Sequence, residues 1–250
     1  MTSIETIVED LKNFAPEELE AIANNIGEKG ATGEAGAQGV QGLKGEDSSP
    51  YGCTGSNLGE CKVFITTSKF TGNLQATAEE FFDALSTSSD NFINDACSLP
   101  NTSASTALDK ANCICAIEGA KYSEGRWRAW LSTSSTSALE NINYNPGATY
   151  IRVSDSGVIA TAGTLMSGDL SNPISASGGT IVNTGTLGNG LVSSGQTCSD
   201  WTSTDGTVTR GGSSATDSTW TNNTSGIASC LAVNPIYCFE AASSAIYNPA

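Results

Sequence analysis

Gly27-Glu28-Lys29-Gly30-Ala31-Thr32-Gly33-Glu34-Ala35-Gly36-Ala37-Gln38-Gly39-Val40-Gln41-Gly42-Leu43-Lys44-Gly45 places glycine at every third position through seven glycines in register. The collagen triple helix imposes that period. Three left-handed chains wind around an axis too crowded for a side chain, so each must offer glycine whenever it passes inside. The chain has 27 glycines in 250 residues, and chance does not account for seven in register. The spacing therefore predicts a homotrimer with a collagen-like segment over residues 27–47. A flexible glycine-rich linker is the alternative. The triplets contain no proline, the residue that normally pre-organises this helix, so the segment is marginal by itself and flanking contacts must hold its register. At about 3.1 Å per residue it is a spacer on the order of 65 Å long.

On the N-terminal side, Thr2 and Glu5 have capping-box spacing, and Ile4, Ile7, Val8, Leu11 and Phe14 follow on one helical stripe. Pro16, Glu17 and Glu18 open a second short helix with Leu19, Ile22, Ala23 and Ile26 on one side. Neither helix is long enough to hold alone in water. Residues 1–26 are therefore expected to pack against the other two chains as a trimerising bundle. They are also candidates to dock into a larger particle or surface.

The net charge of −15 comprises 3 basic and 10 acidic residues over 1–50, and 8 basic and 16 acidic over 51–250. Nucleic acid and anionic membranes are contacted by clustered Lys and Arg, so acidity in both parts argues against them as partners. No apolar run reaches the ~20 residues of a membrane span. The first residues carry acids where a secretory signal carries bases. Eight cysteines nonetheless predict disulfides and an oxidising destination. A virion protein released by lysis, an unrecognised export route or a removed signal would reconcile the two. With no histidine, a structural zinc site would have to be all-cysteine, and the usual base for a Ser or Cys nucleophile is missing. An enzyme is not expected.

Residues 48–61 form a turn-rich neck, and 62–250 are expected to be an α+β head. Strands are predicted over 62–67, 126–131, 149–153, 180–182 and 236–240, and helices over 76–86 and 106–118. Four segments in this order carry a resemblance: Val63-Phe64-Ile65-Thr66 with Phe70-Thr71-Gly72-Asn73-Leu74, Arg126-Trp127-Arg128-Ala129-Trp130-Leu131-Ser132, Thr197-Cys198-Ser199-Asp200-Trp201, and Ile236-Tyr237-Cys238-Phe239-Glu240. Together they resemble the lectin-like domain that caps bacterial and phage collagen-like proteins. That domain is similar to endostatin, and both are variants of the C-type lectin fold. The resemblance implies a bridge between Cys115 and Cys238 and another between Cys198 and Cys230. It leaves Cys97, in a stretch that looks inserted relative to the family, to pair with Cys113, and Cys53 to close a small loop at the neck with Cys61. The chain lacks the signature motifs of the calcium-dependent sugar site and the histidines of endostatin's zinc site. Where the family has tryptophan, Asn183 stands in Val182-Asn183-Thr184-Gly185-Thr186.

Trp127 and Trp130 read as core. Trp220, in a polar loop that the Cys198–Cys230 bridge would close, is the best candidate for exposure and for stacking on sugar. Asn222, Asn183 and Asp205 join it as expected ligand contacts. Asp200, Asp205 and Asp217 could hold calcium through loop oxygens, and the plainer reading of them is as solvated carboxylates. No other cofactor is implied. The expectation is a trimeric fibre or surface adhesin, extracellular, whose heads bind a cell-surface glycan or protein from a phage or virus particle. An exported bacterial adhesin and a non-binding structural decoration protein are the alternatives.

Overall fold

The computed structural model describes Cys53 and residues 59–78, 106–123, 125–161, 163–223 and 228–241. The helices expected over 1–26, the glycine triplets, most of the neck, Cys97 and most of the helix expected over 76–86 lie outside the described residues. The chain divides at Leu43/Lys44, and every described residue belongs to the second unit.

That unit is mixed α+β, with few helices and several small sheets. Its largest sheet has five strands: β1 (Glu60–Ile65), β2 (Trp127–Ala129), β3 (Thr149–Arg152), β4 (Val158–Ala160) and β9 (Tyr237–Glu240), in the order β2-β9-β1-β3-β4. The five strands expected from β-branched and aromatic runs are present, four in this sheet and the fifth as β5 (Ile181–Asn183). β1 pairs antiparallel with β9, Val63 opposite Phe239, and parallel with β3 on its other side. β9 is buried along its whole length, as a central strand must be. Two small antiparallel pairs complete the framework, β5 with β7 (Arg210–Gly212) and β6 (Thr207–Val208) with β8 (Ala228–Ser229).

Alternate residues of the central strands feed two apolar cores, the consequence of side chains pointing to opposite faces of a sheet. One face carries Phe64, Cys238, Trp127 and Ala129 against helix α1 (Ala107–Gly119). The other carries Val63, Tyr237 and Phe239 with Trp130, Tyr150 and Trp220. The second core is aromatic: ring centroids lie 5.0 Å apart for Trp130–Trp220, 5.1 Å for Trp130–Phe239 and 5.6 Å for Trp220–Tyr237. Each such pair contributes about 0.5–1.5 kcal/mol beyond its buried area.

α1 begins at a reciprocal capping box in which Thr106 and Asp109 satisfy one another's backbone amides. Its far end approaches the sheet closely because residue 119 is glycine; a Cβ there would lie 2.6 Å from the Trp127 ring. Both outer edges of the sheet are closed by neighbouring groups. On β2 the Ala129 amide donates to Asn112 Oδ1 (2.9 Å) and the Ala129 carbonyl accepts from Asn141 Nδ2 (2.7 Å). On β4, Val158 O accepts from Asn172 Nδ2 and Ile159 O from the Ser171 amide. Groups bonded in this way are not free to pair with another chain.

Three disulfides join Cys53 to Cys61, Cys115 to Cys238 and Cys198 to Cys230; the resemblance implied the last two, and the first closes the small loop expected at the neck. Cys113 is also disulfide-bonded, and Cys97, the partner expected for it, lies outside the described residues.

Two variants test this packing. Cys115–Cys238 closes a separation of 123 residues, and replacing both cysteines by alanine should cost about 4–5 kcal/mol in denaturant unfolding. At Gly211 a Cβ would sit 1.7 Å from the Trp220 carbonyl oxygen, a backbone atom. Gly211→Ala should therefore destabilise by about 3 kcal/mol or more, which a shift in denaturation midpoint at unchanged slope would report.

Candidate functional site

The strand directions give the head two poles. β1 and β3 start, and β9 ends, at the first: Glu60 lies beside Thr149, and Glu240 lies opposite Trp127. Cys53 Sγ is 3.1 Å from the Glu240 carbonyl oxygen, so the chain enters and leaves the described head at one place. The second pole, beyond Ile65 and Tyr237, gathers residues 66–72, 131–137, 193–209 and 228–236. Hydrogen bonds tie these segments together, among them Thr66 N to Ile236 O, Gly72 N to Cys230 O, Cys230 N to Gly206 O and Trp201 Nε1 to Ser132 O.

Among the described residues, the second pole contains the longest run of non-glycine residues with positive φ. Cys198, Ser199, Asp200 and Trp201 have φ of 53°, 53°, 57° and 67°, one turn of left-handed helix without a glycine. L-residues resist this conformation by about 1–2 kcal/mol each. Three restraints impose it. Cys198 is bridged to Cys230. Trp201 is fully buried and its indole N–H donates to Ser132 O at 2.8 Å. Asp200 accepts from the Ser134 amide and hydroxyl, both at 2.6 Å, and from the Thr197 hydroxyl at 3.2 Å. Burial raises the Asp200 carboxyl, but these hydrogen bonds to the charged form outweigh it, and the group is held below the ordinary carboxylate range.

At the first pole Glu240 is 1% exposed. It accepts from the Lys62 amide at 3.0 Å and the Ser123 hydroxyl at 2.8 Å. Burial pushes its carboxyl above the ordinary range, and the two hydrogen bonds and the Lys62 charge only partly offset this.

The expected ligand contacts do not assemble. Trp220, expected to be exposed, is 0% exposed and packed among Trp130, Tyr237 and Phe239, because the aromatic core draws it inward. Asn183 is buried too: its amide donates to Phe70 O and accepts from Asn234 Nδ2, tying β5 to the second pole. Asn222 is half-buried and Asp205 exposed. Asp200, Asp205 and Asp217 do not converge either. Asp200 pins the left-handed turn, and Asp217 caps the 3-10 turn Ser218–Trp220 by accepting from the Thr219 amide and hydroxyl. Among the described residues no three acidic or cysteine side chains are grouped to hold a metal.

What sequence reasoning missed is the turn after Cys230. Leu231 is 65% exposed and Val233 56%, more than any other large hydrophobic residue described. An aliphatic pair between a bridged cysteine and Asn234-Pro235 was the available signal. No protein-family model matches this chain, and no match is found among curated proteins.

Two titrations follow. Asp200 is depressed, so its contribution is present above the ordinary carboxylate pKa and lost as pH falls through its lower folded value. Asp200→Asn should cost about 1–2 kcal/mol at neutral pH and progressively less in acid, measured by urea unfolding across pH. Glu240 has the opposite sign. Its raised folded pKa makes its contribution complete below the unfolded value of about 4.3 and lost as pH climbs through the folded one. Stability of Glu240→Gln relative to wild type should therefore rise as pH climbs from the ordinary carboxylate value through the higher folded one. A constant difference would refute the assignment.

Proposed function

We propose that this chain is the subunit of a trimeric surface fibre. Residues 1–26 would anchor and trimerise, residues 27–47 would form a short collagen-like rod, and three lectin-like heads would meet a cell-surface ligand outside the cell. The single observation that carries this is the run of seven glycines at every third position, a period that only three chains sharing one axis require. The setting we infer is a phage or virus particle, with an exported bacterial surface as the alternative; disulfides fit the oxidising exterior of either.

Features of the head support the reading. Chain entry and exit at one pole leave the other free to face a target. The Cys115–Cys238 and Cys198–Cys230 bridges match those the lectin-like resemblance implied. Three disulfides among the described residues suit an oxidising exterior, and no described helix is long and apolar enough to cross a membrane. Three heads on one stalk convert weak single contacts into strong joint attachment, the physical reason for such an arrangement.

Sedimentation equilibrium of the full chain should give three times the 25.6 kDa of one protomer. Gly36→Ala, in the middle of the triplets, should disrupt the rod and lower the melting temperature of the trimer without unfolding the heads. A protomer mass for the wild-type chain would end the proposal.

A further inference from the structure

Cys198 opens the left-handed turn and is also one end of the bridge to Cys230. The later half of the turn has its own holds: Asp200 accepts from Ser134 and Thr197, and Trp201 is buried with its indole bonded to Ser132. For the first half the restraint is the bridge, since Ser199 is exposed and the Cys198 side chain is fixed by its bond to Cys230. The other long-range bridge differs. Cys115 lies in α1 and Cys238 in the central strand β9, conformations that L-residues adopt without cost. Packing adds to the contrast. The Gly72 amide donates to Cys230 O at 2.6 Å, and a Cβ on Gly72 would overlap Cys198 Sγ and lie 2.7 Å from Cys230 Cβ. Two thiols stand further apart than two bonded sulfurs. A site packed this closely cannot keep both where the bridge held them, and Cys198 is the residue whose backbone gains by moving.

We propose that Cys198–Cys230 is a redox-sensitive clasp for the second pole: a dithiol reduces it before Cys115–Cys238, and residues 198–201 then leave the left-handed conformation while the central sheet stays folded. A thiolate of the dithiol attacks one bridge sulfur to form a mixed disulfide, and its second thiol then displaces that sulfur. The dithiol leaves as a cyclic disulfide, and two electrons and two protons pass to the bridge, which becomes two thiols. A bond that holds the backbone in a costly conformation is weakened by the cost it imposes. Both bridges are buried, so a reductant reaches either through local opening, and the openings differ. Around Cys198–Cys230 the framework is the short pair β6–β8 and turns. Cys115–Cys238 lies between α1 and a strand paired on both sides. The clasp keeps the loops of this pole in one shape in an oxidising exterior and loosens them in a thiol-rich compartment. This goes beyond the fibre reading and holds for a protomer or a trimer alike.

The test equilibrates the full chain in graded mixtures of reduced and oxidised dithiothreitol, quenches with N-ethylmaleimide and maps each bridge by mass spectrometry. Cys198–Cys230 should be half-reduced at a dithiol ratio roughly tenfold below that for Cys115–Cys238. At that point hydrogen exchange of residues 197–203 should rise about tenfold, with β1 and β9 unchanged. Ser199→Gly separates backbone strain from access, because glycine adopts positive φ readily. This variant should need about twofold to fivefold more dithiol at this bridge alone, and circular dichroism will show that it folds. Reduction of Cys115–Cys238 first or together, unchanged exchange over 197–203 once Cys198–Cys230 is reduced, or an unmoved midpoint in Ser199→Gly overturns the clasp.

Discussion

The antiparallel pairing of β1 with β9 is the contact on which the head depends. It joins residues near the start of the head to residues near its end, at Val63–Phe239 and Ile65–Tyr237, so the loop-closure entropy of the whole domain must be met before the central sheet exists. Cys115–Cys238 secures that closure by tying α1 to β9. Once β9 is in place it offers one side to each core. Cys238 goes to the face under α1, and Tyr237 and Phe239 go to the aromatic face. The two poles follow from the same pairing, since strands that run out and back return the chain to its point of entry.

At the far pole, regular structure gives way to short pairs and turns, and order is maintained by other means. The left-handed turn Cys198–Trp201 costs several kcal/mol of backbone energy by itself. A disulfide, a buried indole and a carboxylate with three hydrogen bonds hold it there. A strained segment so heavily restrained is consistent with a pole whose loops must keep one shape. The amide side chains of Asn112 and Asn141 on β2, and of Asn172 on β4, occupy the sheet edges.

The aromatic residues bear most directly on ligand chemistry. Trp127, Trp130, Trp201 and Trp220 all lie inside, where their large apolar area contributes most to stability. The indole hydrogen bonds of Trp130 to Thr221 and of Trp201 to Ser132 serve the fold and not a ligand. The exposed loops are mostly serine, threonine and asparagine. Against that background the exposed Leu231 and Val233 stand out.

Local spacing was enough to read several elements. The triplet register lies outside the described residues, and the three chains proposed from it rest on the rule that no side chain fits a collagen axis. The β-branched and aromatic runs located five strands, and the helical character of 106–118 located α1. The lectin-like resemblance supplied two long-range bridges. β4, β6, β7 and β8 escaped notice because strands of two or three residues are too short to show alternation. The fate of Trp220, Asn183 and the three aspartates was hidden for a different reason. A tryptophan among polar neighbours reads as exposed until the Trp130, Tyr237 and Phe239 rings, from other segments of the chain, close around it. Asp200 and Asp217 are engaged by the Ser134, Thr197 and Thr219 groups, and Asp205 stays exposed. Burial and convergence are decided by contacts between distant residues, and only the folded chain brings those contacts together.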